Sequence, residues 1–239
     1  MAVSIFIFRS DDGRTREERL LAAASVAGYE QDAVGETASE RLDIWRIART
    51  KRGKPYFPEQ PDLHFSISHS GDFWVCAFSE RPVGVDIQKH VKRAGESQTQ
   101  AAARLARMAE RFFHPEETAW VMEYPYKRFF QIWTAKESYV KYTGEGIGAG
   151  FEALCLAPDS ESAEWEQTDV RERSSFRWKA NGLRFCSREF SGDSLVRGSS
   201  VGAGDSPGYT LCVCFEKEEE SVWMQRYDEI SENCGEREE

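Results

Sequence analysis

The sequence contains no hydrophobic run that approaches the roughly 18 apolar residues needed for a membrane-spanning helix. Its first residues, MAVSIFIFRSDD, have a short apolar run without a basic segment before it, which is typical of a first β-strand and not of a secretory signal peptide. We therefore expect a cytoplasmic protein that has no membrane partner.

Cysteine and histidine motifs for metal binding are also missing. The chain has six cysteines and four histidines, but no cysteine pair has the C-x-x-C spacing of a zinc site. We expect no structural zinc. Five of the cysteines are interpreted as small buried side chains in a reducing compartment, whereas Cys234 lies in a polar tail.

An excess of positive charge is absent, since the formal net charge is −10. Residues 216–239 contain ten acidic and three basic side chains, whereas residues 41–54 contain six basic side chains and one aspartate. The overall sign argues against a general nucleic-acid-binding protein. The basic segment is nevertheless suited to contact phosphate groups.

The composition is that of a globular protein, with 40% hydrophobic and 13% aromatic residues in a chain of 239 residues. Hydrophobic periodicity predicts helices over residues 36–50, 97–113, 116–122 and 126–143. Ser97 with Gln100 resembles a capping box at the start of the second helix, and Gly144 offers a left-handed stop after the last. The pattern predicts strands over residues 3–8, 64–69, 73–78, 83–88, 151–156 and 209–215, and a hairpin over 176–185 with a type I′ turn at Asn181-Gly182. Residues 158–174 and 191–207 are predicted loops, and the acidic tail is expected either to hold a short helix near 222–227 or to be partly disordered. The fold class is therefore α/β (α+β).

One predicted helix carries a row of chemically distinctive side chains. The stretch FQIWTAKESYVKYTGEG over residues 130–146 places Trp133, Glu137 and Lys141 four residues apart, so that they share one ridge of the helix. Taken alone, such a carboxylate and ammonium pair is most often a surface ion pair of small energetic value. The other segments of the chain must decide between a surface pair and a site.

Three further segments offer polar groups in constrained positions. Lys54 lies in the rigid turn Gly53-Lys54-Pro55, and the sequence FSISHS over residues 65–70 ends a strand with hydroxyl groups and an imidazole. Asp86 and Gln88 alternate along the strand GVDIQ, so both side chains project from the same side of it. Each segment by itself equally fits an ordinary loop or strand end.

The order and spacing of these segments resemble the Sfp-type 4′-phosphopantetheinyl transferases. The motifs GKP, FSISHSG, GVDIQ, FF-x-x-x-E and WTAKESYVKYTGEG follow one another between residues 53 and 146. The resemblance implies a 4′-phosphopantetheinyl transferase-like fold of two pseudo-symmetric halves, each with a helix packed on a mainly antiparallel sheet. We place the halves at residues 1–90 and 91–215, followed by an acidic tail at 216–239.

The resemblance also implies an activity. Members of this family transfer the phosphopantetheine arm of coenzyme A to a serine of an acyl or peptidyl carrier protein, with Mg²⁺, and release adenosine 3′,5′-bisphosphate. The implied metal ligands are Asp86, Glu137 and Gln88. The implied coenzyme A-binding residues are Lys54, Pro55, Ser68, His69 and Lys141, and the implied catalytic residues are Glu137, Lys141 and Glu117.

The resemblance leaves open which group is the base and how Gln88 acts at the metal. The serine proton could be taken by Glu117 or by a metal-bound water. Gln88 stands where many family members carry a second strand carboxylate, so it can offer an oxygen to the metal but no charge.

Two other functions also remain. The chain could be a non-catalytic module that binds a carrier protein or coenzyme A, although the presence of both Asp86 and Glu137 speaks against this, or it could be an unrelated Mg²⁺-dependent phosphohydrolase. Because two halves in one chain can complete a site, we expect a monomer.

Overall fold

The structure, a computed structural model, describes residues 2–27, 29, 45–146, 151, 154–157, 163–167, 175–192, 207–216 and 221–226. The helices within these ranges are α1 (Arg16–Val26), α2 (Gln98–Phe112), α3 (Pro115–Glu123) and α4 (Pro125–Thr143). The strands are β1 (Ala2–Arg9), β2 (Ala48–Arg49), β3 (Pro55–Tyr56), β4 (His64–Ser70), β5 (Phe73–Ser79), β6 (Val83–Lys89), β7 (Ala163–Gln167), β8 (Ser175–Ala180), β9 (Leu183–Ser191), β10 (Gly208–Glu216) and β11 (Ser221–Arg226).

These elements form four layers: α1, a first sheet, a second sheet, and α2 to α4. The first sheet has the order β11-β1-β5-β4, and the second has the order β6-β10-β9-β8-β7. The apolar side chains of β1 alternate between the two faces of its sheet. Phe6 and Phe8 pack towards α1, whereas Ile5 and Ile7 pack against the second sheet.

The second sheet is covered on its outer face by the helices. Leu105 of α2, Val121 of α3 and Ile132 of α4 join the core that contains Phe185 of β9 and Cys212 of β10. The capping box predicted for α2 is present, because Ser97 Oγ accepts the backbone N–H of Gln100 and the Gln100 side chain accepts the N–H of Ser97. These caps and the apolar stripe fix where α2 begins and which face it buries.

Helix α4 lies directly on β6 because of one glycine. A Cβ atom at Gly84 would stand 1.9 Å from the carbonyl oxygen of Ser138 and 2.5 Å from the backbone nitrogen of Tyr142. Any larger residue at position 84 would therefore push the helix away from the strand. The helix ends at Gly144, whose φ of 71° is left-handed, as the sequence predicts.

The two sheets also meet along the edges of β4 and β6. Three serine hydroxyls on one side of β4 accept the alternate backbone N–H groups of β6, and we call this set the serine ladder. Its pairs are Ser66 with Val85 at 3.0 Å, Ser68 with Ile87 at 3.3 Å, and Ser70 with Lys89 at 2.9 Å. Side chains thus replace a backbone ladder where the two sheets meet.

The predicted α/β class and most of the predicted elements are confirmed. The hairpin between β8 and β9 turns at Asn181 and Gly182, whose φ values of 51° and 76° are both positive, as a type I′ turn requires. Within 64–89 the three predicted strands are also present.

Several other predictions are wrong. Ala48–Arg49 is a strand and not the end of a helix, although Trp45 and Ile47 do pack inward; residues 36–44 lie outside the described ranges. Residue 151 and residues 154–157 do not form the predicted strand. Strand β7 occupies part of a predicted loop, and β11 replaces the helix considered for the tail.

The sheets do not follow the predicted division of the chain. Strand β6, placed in the first half, pairs with β10 in the second sheet. Strand β11, placed in the tail, runs parallel to β1 in the first sheet. None of the helices in the described ranges combines the length and the apolar character that crossing a membrane requires.

The contact at Gly84 gives a prediction about stability. In Gly84→Ala the new methyl group would overlap backbone atoms of α4. We therefore expect the free energy of unfolding to fall by about 1–3 kcal/mol. Urea denaturation followed by circular dichroism measures this change. An unchanged unfolding free energy would contradict the close approach of α4 to β6.

Candidate active site

The candidate site lies where α4 crosses β6, and it contains Asp86, Glu137 and Lys141. The close approach at Gly84 brings the ridge of α4 over the strand two residues before Asp86. Lys141 Nζ donates to Asp86 Oδ1 at 2.7 Å. The third member of the ridge, Trp133, instead packs into the aromatic core beside Phe129. The ridge therefore divides into an apolar end and a polar end.

Asp86 has one oxygen that is fully used and one that is not. Its side chain is buried, with a residue exposure of 6%. Oδ1 accepts from Lys141 and, at 2.7 Å, from the hydroxyl of Ser68. Oδ2 is buried and has no hydrogen-bond partner among the residues that the structure describes. A buried carboxylate oxygen without a partner is costly, which indicates a missing ligand.

Glu137 adds a second carboxylate to the same place. Its burial and the nearby charge of Asp86 raise the pKa of Glu137 to about 7, against the opposing effect of Lys141. Lys141 donates a hydrogen bond to Asp86 and acts on Glu137 only through its charge, so two carboxylates are balanced by one ammonium group and the cluster is short of positive charge.

The donor set fits a small hard cation. Asp86 Oδ2 and the carboxylate of Glu137 are the oxygen ligands that Mg²⁺ prefers, and few protein ligands suffice because Mg²⁺ retains waters or takes phosphate oxygens. Gln88 follows Asp86 on the same face of β6 and is partly buried. A cation bound here would supply the charge that the two carboxylates lack.

A pocket with a basic wall adjoins this group. It lies between the β2–β3 turn, β4 and the end of α4, and its lining includes Arg52, Lys54, Pro55 and Lys141. Three positive side chains around one open pocket suit a ligand with several negative charges. The predicted residues Lys54, Pro55 and Lys141 are therefore together in the structure.

Lys54 also holds the end of α4. Its Nζ donates to the carbonyl oxygen of Tyr142 at 2.6 Å, where the last turn of a helix leaves carbonyl groups unpaired. Partial burial lowers the pKa of Lys54 to about 8. A Cβ atom at Gly144 would lie 3.0 Å from Lys54 Cδ, so the glycine makes room for the lysine.

Ser68 and His69 have different surroundings although they are adjacent. Ser68 is buried, with an exposure of 8%, and its hydroxyl binds Asp86. His69 is exposed on the other side of β4. The structure thus brings Ser68 into the carboxylate group and leaves His69 outside it.

Glu117 belongs to another buried pair. Its Oε2 lies 3.0 Å from Lys136 Nζ, and the two side chains are 0% and 1% exposed. Oε2 also accepts the N–H of His114, and Oε1 accepts the N–H of Leu156. Burial raises the pKa of Glu117, while Lys136 and these amides act in the opposite direction. To act as a base, this carboxylate would have to leave its present partners, so that role stays a prediction.

Lys136 completes this network from α4. Its Nζ donates to the carbonyl oxygens of Phe151 and, at 2.6 Å, of Leu154. The pair of Lys136 and Glu117 therefore fastens the chain after α4 to α3. Lys136 and Glu137 are neighbours in sequence, yet one lies in a satisfied buried pair and the other at the unsatisfied carboxylate group.

A second cluster of metal-ligand types lies at the start of α3. Side-chain ligand atoms of His114, Glu116 and Cys155 lie within 4.8 Å of one another. However, His114 Nδ1 accepts the N–H of Glu116 as a helix cap. The positive end of a helix dipole also disfavours a cation. We therefore assign no metal to this cluster.

Sequence reasoning missed the residues that support the site. Of the alternating serines in SISHS, Ser68 alone was predicted to bind coenzyme A, although their period of two places Ser66, Ser68 and Ser70 on one edge. No role in the site was predicted for Gly84 or Lys136. Each of these residues is visible in the sequence, but the residue that it contacts lies far away along the chain.

Comparison with known proteins identifies a family that part of this chain is similar to. Residues 82–193 match the family model of the 4′-phosphopantetheinyl transferase superfamily. This match covers Asp86, Glu117, Glu137 and Lys141, whereas Lys54 and Ser68 lie before it.

Individual proteins that this chain is similar to are also named 4′-phosphopantetheinyl transferases. A 4′-phosphopantetheinyl transferase of Bacillus subtilis is 38% identical over 108 residues, which are 44% of this chain and 43% of the relative. The transferase Sfp of Bacillus subtilis strain 168 is 34% identical over 121 residues, 49% of each chain. The transferase gsp of Aneurinibacillus migulanus is 38% identical over 103 residues, 41% of this chain and 38% of the relative.

The matches extend over only part of each protein. The chain spans between 38% and 49% of the length of these three curated relatives. Within that part, the resemblance found in the motifs is confirmed.

The buried pair beside the site gives a prediction. Lys136→Met would leave the Glu117 carboxylate buried without its counter-charge, so the free energy of unfolding should fall by about 3–5 kcal/mol. The double variant Lys136→Met/Glu117→Gln removes both charges and should recover part of this loss. Urea denaturation measures all three proteins.

The control is the exposed pair of Arg46 and Glu59, whose side chains are 66% and 55% exposed. Arg46→Met should change stability by less than about 1 kcal/mol. If Lys136→Met were as mild as this control, the network around Glu117 would not have the structural role described.

Proposed function

We propose that this chain, whose residues 82–193 match the family model of the 4′-phosphopantetheinyl transferase superfamily, transfers the phosphopantetheine arm of coenzyme A to a serine of an acyl or peptidyl carrier protein. One observation carries the proposal. A carboxylate group with an unpaired buried oxygen and too little positive charge lies beside an open pocket with a basic wall. Such a pair of sites suits a metal ion and the diphosphate of a coenzyme.

In this proposal Asp86, Glu137 and Gln88 hold Mg²⁺. Bound Mg²⁺ would neutralise charge on the diphosphate oxygens, which assists attack on phosphorus and departure of the leaving phosphate. Asp86 offers Oδ2, and Glu137 offers its carboxylate from α4. Gln88 offers an amide oxygen without charge, so the site gains less negative charge than a site with three carboxylates would have.

The pocket residues bind coenzyme A. Lys54 and Lys141 place positive charge against its phosphates, and Pro55 fixes the turn from which Lys54 extends. His69 is exposed on the other side of β4 and is not among the residues that line this pocket, so its contact with a phosphate of coenzyme A rests on the motif alone. Ser68, by contrast, would contact coenzyme A only from its buried position beside Asp86.

The reaction breaks the bond between the bridging oxygen of the diphosphate and the phosphorus that carries pantetheine. The serine oxygen of the carrier protein forms the new bond to this phosphorus, and adenosine 3′,5′-bisphosphate leaves with the bridging oxygen. Lys141 is placed to stabilise the charge that develops on the diphosphate. The serine proton goes to a base, for which Glu117 is the candidate if its contact with Lys136 opens.

We further propose that the protein is a cytoplasmic monomer. Asp86, Glu137 and Lys141 come from β6 and α4 of a single chain, so one molecule suffices to form the group.

The proposal predicts the behaviour of Glu137→Gln. This change keeps the size of the side chain but removes the charge that the metal needs, so transfer should fall by at least about a hundredfold, the scale of a lost transition-state contact. The assay incubates protein, Mg²⁺, coenzyme A and an apo carrier protein, and it reads the carrier protein by intact mass.

Glu110→Gln, which removes one exposed carboxylate from α2, is the control and should leave transfer unchanged. Near wild-type transfer by Glu137→Gln would refute the site assignment. Turnover of coenzyme A without any gain in carrier mass would instead favour a phosphohydrolase.

The basic wall gives a second prediction. Lys54→Ala should weaken coenzyme A binding by about 1–3 kcal/mol, the range for a hydrogen bond to a charged group. Affinity of the unaltered protein should also decline as pH rises through about 8, because Lys54 is charged below its pKa and neutral above it. Calorimetric titration with coenzyme A at several pH values measures both effects.

Lys54→Arg retains the charge across this pH range and is the matched control. Its coenzyme A affinity should not show the decline above pH 8. Equal affinities of Lys54→Ala and the unaltered protein would remove Lys54 from the coenzyme site.

A further inference from the structure

We propose that Ser68 is a positioning residue that makes Asp86 a one-oxygen metal ligand and thereby favours Mg²⁺ over Ca²⁺. The inference rests on the metal site in the proposed function, and it gives Ser68 a role different from direct contact with coenzyme A. The inference rests on which donor and acceptor positions of Ser68 and Asp86 already have hydrogen-bond partners.

The single hydrogen of the Ser68 hydroxyl is already used. It donates its only hydrogen to Asp86 Oδ1 at 2.7 Å, and it accepts the backbone N–H of Ile87 at 3.3 Å. Phosphate oxygens without protons can only accept. Ser68 would therefore have to release Asp86 before it could donate to a phosphate of coenzyme A.

This arrangement makes the two oxygens of Asp86 unequal. Oδ1 receives hydrogen atoms from both Ser68 and Lys141, whereas Oδ2 is buried and unpaired. A cation that approached Oδ1 would meet the proton of a hydroxyl and the charge of an ammonium group. Only Oδ2 is therefore open to a metal.

One-oxygen coordination discriminates between cations. Mg²⁺ requires near-octahedral geometry with short bonds, which single carboxylate oxygens and waters satisfy. Ca²⁺ takes six to eight ligands and commonly uses both oxygens of a carboxylate. By occupying Oδ1 together with Lys141, Ser68 helps to withhold a ligand that Ca²⁺ could use and Mg²⁺ does not need.

The serine ladder supplies a matched control. Ser66 has an exposure of 4%, and its hydroxyl accepts the N–H of Val85 at 3.0 Å on the same edge of β4. Unlike Ser68, it makes no described contact with Asp86. Ser66→Ala and Ser68→Ala thus each remove one link between the sheets, but only the second also removes a hydrogen bond from Asp86 Oδ1, which then keeps Lys141 as its donor.

The test measures metal binding directly. Mn²⁺ is titrated into the full chain without coenzyme A and followed by its electron paramagnetic resonance signal, and Mg²⁺ or Ca²⁺ is then added as competitor. In Ser68→Ala, the ratio of Mg²⁺ to Ca²⁺ affinity should fall by about fivefold, the scale of one hydrogen bond. Ser66→Ala should keep the ratio of the unaltered protein, and Ser68→Thr, which retains the hydroxyl, should restore it.

Thermal unfolding separates positioning from stability. Both alanine variants should be less stable than the unaltered protein, because each loses one link of the serine ladder, and Ser68→Ala should lose more because it also loses the hydrogen bond to Asp86. An unchanged Mg²⁺ to Ca²⁺ ratio in Ser68→Ala, or an equal change in Ser66→Ala, would overturn the inference.

The outcomes also distinguish this inference from the proposed function. If the unaltered protein transfers the phosphopantetheine arm but Ser68→Ala keeps the metal preference, only the role of Ser68 is wrong. If the metal preference depends on Ser68 but no carrier protein gains mass, only the proposed activity is wrong. Absence of Mn²⁺ binding at millimolar concentrations would overturn the role of Ser68 whatever the transfer assay gives.

Discussion

The close contact between α4 and β6 at Gly84 is the constraint on which the candidate site depends. Asp86 lies on a strand and Glu137 on a helix that begins about 40 residues later in the chain, so only tertiary packing can bring them together. The missing side chain at Gly84 allows backbone to meet backbone. Glycine has no reactive side chain, yet this glycine sets the distance between the groups that would hold a metal.

Helix α4 contributes to two buried groups of charged side chains, and only one of these groups has its charges fully compensated. Lys136 and Glu117 satisfy each other and the nearby backbone, and this closed network ties α3 and α4 to Phe151, Leu154 and Leu156. Asp86 and Glu137 are left with an unpaired oxygen and a raised pKa. Buried charge without full compensation is expensive, so it is retained where a ligand completes it. The first group supports the fold, and the second is suited to binding.

The sequence predicted the elements that have strong local signals. The Asn-Gly turn, the capping box of α2 and the long helix ending at Gly144 each depend on neighbouring residues, and each is present. Helix α1 and strand β7 were missed because their amphipathic patterns are short and highly charged. Strand β11 was considered as a helix because its pairing with β1 lies more than 200 residues away.

The candidate site was also predictable only where the signal lies in short local motifs. Motif order identified Asp86, Glu137, Lys141 and Lys54, and the structure brings these residues to one region. It could not indicate that Ser68 donates to Asp86, because strand periodicity does not say which strands meet at an edge. Nor could it indicate that Glu117 is enclosed by Lys136, since helix spacing gives a face but not the partner across it.

The parallel pairing of β11 with β1 has a consequence for how the chain folds during synthesis. Ala2 pairs with Ser221 and Ile7 with Arg226, so this pairing must wait until residue 226 has left the ribosome. Until then, among the described strands, β5 alone is available to pair with β1, and the other edge of β1 stays open to other chains. Closing so large a loop is slow compared with hairpin formation. The nascent chain should therefore be most prone to aggregation just before its final described strand is made.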